Sequence, residues 1–216
     1  MKCIYQGGGL IFSLLGAGIA LGLFMTPDNG KNRGTRLSML MAFAFLTGLG
    51  LGPLLSMAIM VNPSLVPSAF MLTSAIFACF TGAALFAPDG KYLYLGGTLL
   101  SGLSTLLVLG FLNIFFRSQL LFQVNAVTKF PISKSGLPLN LFSGYLKYLH
   151  WTLLQAHLYI GLAIFCGFIM FDTQVIIRKA RNGDKDFIAH SLDLFIDFVQ
   201  IFRKVLILLM QKVRRV

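Results

Sequence analysis

The residues able to do chemistry gather in the last quarter of the chain. Asp172 stands in Met170-Phe171-Asp172-Thr173-Gln174, at the end of a long apolar run. The next apolar segment carries His190, Asp193, Asp197, Gln200, Arg203 and Lys204. Steps of three, four, three and four separate His190, Asp193, Asp197, Gln200 and Lys204, which puts them on one stripe of an α-helix. Leu192, Leu194, Phe195, Ile196, Phe198 and Val199 fill the remaining surface of that helix. Ionisable groups within an apolar segment are costly and mark functional sites. Two carboxylates brought together there cannot both ionise easily, and they titrate as a coupled unit. Such a pair holds a proton when closed and offers oxygens to a hard cation when open. The plainer alternatives are a helix lying on the membrane surface, or Asp–Lys pairs that only fix helix packing.

Lys31, Arg33 and Arg36, between the first two apolar segments, are candidates to pair with a carboxylate of helix five or six and latch such a path. Contact with lipid headgroups is the competing role for each of them. Enzyme signatures are missing: no C-x-x-C, H-E-x-x-H, G-x-S-x-G or phosphate-binding loop occurs. His150, His157 and His190 lack a ligand spacing, and Cys3, Cys79 and Cys166 lack a paired one. The expectation is therefore no enzyme and no resident cofactor, with calcium and protons as permeant or regulatory ions.

The elements that must position these residues are membrane helices. Hydrophobic residues make up 56% of the 216 and charged ones 12%, against roughly 25% charged in a soluble domain, and mean hydropathy is +0.81. That much apolar surface needs lipid as its solvent. An N-terminal signal peptide is the weaker reading of the start, because the run continues to Met25 and its Gly18-x-x-x-Gly22 spacing suits close helix packing. The chain reads as one membrane domain, 1–216, an all-α polytopic bundle of about six transmembrane helices at roughly 20 residues each. Their expected spans are 8–25, 37–61 with a kink at Pro53, 68–87, 92–116, 156–177 and 187–210. Pro27-Asp28-Asn29-Gly30, Asn62-Pro63-Ser64 and Pro88-Asp89-Gly90 supply the turns. The stretch 124–155, with Pro131, Gly136, Pro138, Tyr145, Tyr148 and Trp151, reads as an atypical insertion between the fourth and fifth helices. Val124, whose codons begin GT, and Gln155, with CAG among its codons, match the edges expected of an unspliced intron read in frame, the hypothesis this stretch suggests.

The formal net charge of +11 belongs to loops and helix ends, where basic residues set topology, rather than to nucleic-acid binding. Lys31, Arg33, Arg36, Lys91, Arg178, Lys179, Arg181 and Lys185 all fall on connectors of one side, which assigns that side to the cytosol. The expected partners are the lipid bilayer and calcium ions, with no nucleic acid.

Several stretches resemble the Bax inhibitor (transmembrane Bax inhibitor motif-containing) family, its endoplasmic-reticulum branch above all. They are 42–48 (Ala-Phe-Ala-Phe-Leu-Thr-Gly), the Val61-Asn62-Pro63-Ser64 turn with Pro67-Ser68-Ala69-Phe70, Phe77-Ala78-Cys79-Phe80-Thr81 and Tyr92-Leu93-Tyr94-Leu95-Gly96-Gly97. More specific are Phe171-Asp172-Thr173-Gln174-Val175-Ile176-Ile177 and His190-Ser191-Leu192-Asp193-Leu194-Phe195-Ile196-Asp197-Phe198. The resemblance implies a seven-helix fold, here lacking its first helix, with the last helix wrapped by the others. It also implies a pH-sensitive calcium leak channel, or proton-coupled calcium exchanger, of the endoplasmic reticulum that lowers stored calcium and restrains apoptosis. Asp172 and Asp197 match the family's pH-sensing gate and would ligate calcium in transit. His190, Asp193, Gln200 and Lys204 would then line the path, and Bcl-2-type death regulators would be partners. The chain departs from the family pattern at its start, in a short tail after Met210 and in the 124–155 stretch. Two other functions compete: a non-conducting scaffold for cell-death regulators, and an intramembrane aspartyl protease, whose characteristic glycines are missing beside Asp197.

Overall fold

A computed structural model describes residues 2–27, 31–88, 90–111 and 139–213. Regular structure among them is entirely helical: α1 (Lys2–Met25), α2 (Arg33–Val61), α3 (Leu65–Phe86), α4 (Leu95–Phe111), α5 (Leu139–Arg181) and α6 (Phe187–Val213). The protein is an all-α membrane helix bundle. Arg33–Val61, Leu65–Phe86 and Gln155–Arg181 are long and apolar enough to cross a bilayer, and Leu14–Met25 and Leu95–Phe111 are shorter apolar helices. Met60 and Phe86 are 87% and 94% exposed, an arrangement tolerable only with lipid around them.

Local chemistry explains the helix ends. Asn62 precedes a proline and adopts extended backbone (φ −162°, ψ 123°), which stops α2. Its side-chain oxygen then accepts from the Ser64 backbone N–H (3.0 Å) and hydroxyl (2.8 Å), closing the turn into α3. Pro53 lies within α2 and does not break it. At the far end of α5 the chain turns through Gly183 at φ +89°. The Asp184 N–H reaches back to the Lys179 carbonyl (3.0 Å) and the Gly183 N–H to Ala180 (3.1 Å), a Schellman ending that only the glycine adopts without strain. Arg178, Lys179 and Arg181 meet the negative end of the helix dipole there.

The starts of α4 and α5 differ from expectation. Helix α5 begins at Leu139, so 139–155 is helical and continuous with the expected fifth helix. Tyr92 and Tyr94 lie in a turn that precedes α4. The remainder of the expected insertion, 124–138, lies outside the described residues, as do 112–116 of the expected fourth helix.

The chain divides into two compact units, Gly96–Ile164 and the remainder. Within the first, a Cβ built on Gly102 of α4 comes 3.0 Å from Cδ1 of Ile164 in α5. Alanine there needs only a small shift of a side-chain tip. Gly102→Val should cost about 1–3 kcal/mol by overpacking, read as a lower unfolding midpoint than that of Gly102→Ala.

In the larger unit α6 packs against α1, α2 and α3. Leu23, Phe43, Ile188 and Leu192 form a core between α1, α2 and α6, and the Phe43 and Phe195 rings meet edge to face at 5.9 Å. On the α3 side Phe198 takes Phe70 (5.9 Å) and Phe77 (5.6 Å) in the same geometry. Helix α6 carries too many charges to rank with the apolar spans. It is sheathed by other helices, which is how a polar helix survives at membrane depth.

Candidate functional site: a carboxyl pair between α5 and α6

Gln174 anchors the α5 wall of the site. It is buried, and its amide donates to the Ala84 carbonyl (3.1 Å) and the Pro88 carbonyl (3.3 Å), satisfying acceptors at the C-terminal end of α3. Gln174→Leu should cost about 1–3 kcal/mol, because those carbonyls lose their donor inside the protein. A denaturant titration in detergent measures it.

Two residues before Gln174, Asp172 is half-buried, and its carboxyl stands beside that of Asp197 of α6, which is 4% exposed. An ionised carboxylate has no proton to donate, so two carboxyls so placed are joined directly only when one of them holds a proton. The second oxygen of Asp197, Oδ2, is buried without a partner. Asp193, one turn before Asp197, adds a third carboxyl within electrostatic reach of both. Lys179, two turns after Asp172, is the cation that acts on Asp172 and Asp193. Withdrawing the proton would set two carboxylates against each other in a poorly solvated place and present their oxygens to a cation. Among the described residues no cluster of three or more His, Cys or Asp is arranged to hold a metal. Calcium takes 6–8 oxygens, more than this pair supplies.

The remaining stripe residues do not all converge on the pair. His190 lies in the first turn of α6, its Nε2 3.9 Å from an Asp184 carboxylate oxygen, too far for a hydrogen bond. Both its ring nitrogens are buried without a partner. Gln200 faces a cavity between α1, α2 and α6, and the Lys204 ammonium lies 5.4 Å from the centre of the Phe165 ring of α5.

The basic connector residues also have distinct places. Lys31 is exposed. The Arg33 guanidinium lies over the Phe187 ring at 5.8 Å. Arg36, 2% exposed, pairs through Nη2 with Asp186 Oδ2 at 2.6 Å. Asp186 carries two loads, since its other oxygen accepts the Ala189 N–H (3.2 Å) as the N-cap of α6. Burial pushes its acidity down, but the Arg36 hydrogen bond, the Ala189 N–H and the charges of Arg36 and His190 outweigh this, so its pKa lies below the ordinary carboxylate value. Sequence reasoning missed Asp186. Its only signal was an N-cap residue type directly before an apolar periodic segment.

The profile of the family described as "Inhibitor of apoptosis-promoting Bax1" matches residues 2–132 and 132–214. "Probable Bax inhibitor 1" of Paralichthys olivaceus is 45% identical over 207 residues, 95% of this chain and 73% of that protein. "Bax inhibitor 1" of Homo sapiens is 43% identical over 201 residues, 93% of this chain and 71% of that protein. The protein of the same name from Arabidopsis thaliana is 36% identical over 211 residues, 98% and 72%. With its sheathed polar helix and its apolar spans, this multi-pass membrane protein belongs to the Bax inhibitor family.

Proposed function

We propose that this chain is a pH-sensitive calcium leak path, working as a channel or a proton-coupled exchanger, in the endoplasmic reticulum. By lowering stored calcium it restrains apoptosis, in keeping with a family described as "Inhibitor of apoptosis-promoting Bax1". The observation that carries the reading is the placement of the Asp172 and Asp197 carboxyls side by side on facing helices. While a proton joins the carboxyls, α5 and α6 are held together and no carboxylate pair faces a cation. When the proton leaves, repulsion parts them and their oxygens replace some of the water around a passing ion. Asp193 extends the acidic lining, and Lys179 stands at the side of the basic connectors.

The first test is calcium efflux from proteoliposomes containing the purified chain, beside protein-free vesicles of the same lipid. Efflux above the empty vesicles supports the reading. Folded protein that passes no calcium at any pH would remove it and leave the non-conducting scaffold.

A further inference from the structure

We propose that the cavity between α1, α2 and α6 is a binding site for a single-chain anionic amphiphile, a long-chain carboxylate taken up from the bilayer. The inference does not depend on calcium conduction. The cavity measures about 690 Å³, within the ~300–1,000 Å³ typical of small-molecule sites and sized for one acyl chain rather than a whole two-chain lipid. It exists because Ala17 and Gly50 are small where α1 and α2 face α6. Phe24, Leu51 and Phe195 give it apolar walls, and Leu21, Phe24 and Met57, each more than half exposed, mark where it opens.

The charge on its wall decides the occupant. Arg203 lines the cavity, is exposed, and has no ion pair or hydrogen bond among the described residues. It lies sixteen residues from the start of α6 and ten from its end, or roughly 24 and 15 Å along the axis. That is within the depth of a hydrocarbon core about 30 Å thick, where a guanidinium without a counter-charge is expensive. Gln200, one turn earlier, lines the same cavity with an amide. A carboxylate seated on Arg203 accepts two parallel N–H bonds and a third from Gln200. Its chain then runs between α1 and α6 towards Phe24 and Phe43. Neutral lipid fills the apolar walls equally well but leaves the guanidinium unanswered.

The test uses the full chain in phosphatidylcholine nanodiscs with a diazirine-bearing oleate analogue as probe. Labelling should be saturable and confined to peptides of α1, α2 and α6. Oleate should displace the probe at about one-tenth the concentration of oleyl alcohol, the factor expected of a charge-assisted hydrogen bond. Arg203→Gln should erase that difference. Ala17→Trp, at an exposed position of the cavity wall, should remove the labelling with helix content unchanged. Equal displacement by acid and alcohol in the unaltered chain would overturn the proposal. So would labelling spread over all helices, or a cross-link from this cavity to a second polypeptide, which would assign it to a helix instead.

Discussion

Asp186→Asn should destabilise the protein by about 3 kcal/mol, out of proportion to a one-atom change in a connector. Asparagine caps a helix about as well as aspartate, so the Ala189 N–H keeps its acceptor and only the charge is lost. What remains is Arg36, 2% exposed, with Nε and Nη1 already lacking partners and Nη2 deprived of its carboxylate. Breaking a buried pair from one side costs about 3–5 kcal/mol, and the 20% exposure of Asp186 places this pair at the lower end. Removing both charges, Arg36→Met with Asp186→Asn, should restore most of the loss, because no stranded charge is left. The pH dependence has a definite sign. Asp186 has a lowered folded-state pKa, so its stabilisation is fully present above the unfolded value of about 3.9. It is lost only as pH falls below that through the folded value. The Arg36–Asp186 pair therefore holds α2 to the head of α6 across the physiological range, and it should not respond to the pH changes that move the carboxyl pair. Unfolding midpoints of the unaltered and Asp186→Asn chains should differ by a constant amount from about pH 8 to about pH 5 and converge below pH 4.

The second large effect is on conduction. Asp197→Asn keeps a side chain that can donate to Asp172 and supplies that donor at every pH. The helices then stay joined, and the cation loses one of its two carboxylates. Calcium flux should fall by at least about tenfold, a factor that ~1.4 kcal/mol suffices to produce. Asp197→Leu leaves Asp172 without its proton partner and packs an apolar side chain in its place. Flux should fall there too, but Asp172 should then titrate alone. Infrared spectra of the protonated carboxyl stretch distinguish the two: in Asp197→Leu the band is lost in the single titration of Asp172, whereas in Asp197→Asn, where Asp172 stays an acceptor of the amide, it is weak across the range.

The helix pattern was legible where punctuation was strong. Asn62-Pro63 sits between runs with no other reading, and α2, α3 and α6 begin and end within a few residues of expectation. The start of α5 was not legible, since Pro131, Gly136 and Pro138 argue for a loop and hide the helix that begins at Leu139. Asp172 and Asp197 stood out as charges in apolar runs, and the pairing of α5 with α6 is what brings them together. The 3-4-3-4 spacing predicted a single polar face, but α6 is packed on several sides. A stripe only modestly wide therefore divides among different neighbours, with Gln200 towards α1 and α2 and Lys204 towards α5. Asp186 was hidden for the opposite reason. Among Asp184, Lys185 and Gly183 it reads as one more solvated loop charge, and only the fold places Arg36, 150 positions earlier, against it.

The measurement that tests the central claim most directly is calcium efflux from proteoliposomes between about pH 5 and about pH 8, for the unaltered chain and for Asp172→Asn with Asp197→Asn. If the shared proton holds the path closed, efflux from the unaltered chain rises as pH rises, while the double variant, which has no proton to lose, gives a low and flat profile. Equal profiles from the two proteins, both folded, would contradict gating by the carboxyl pair.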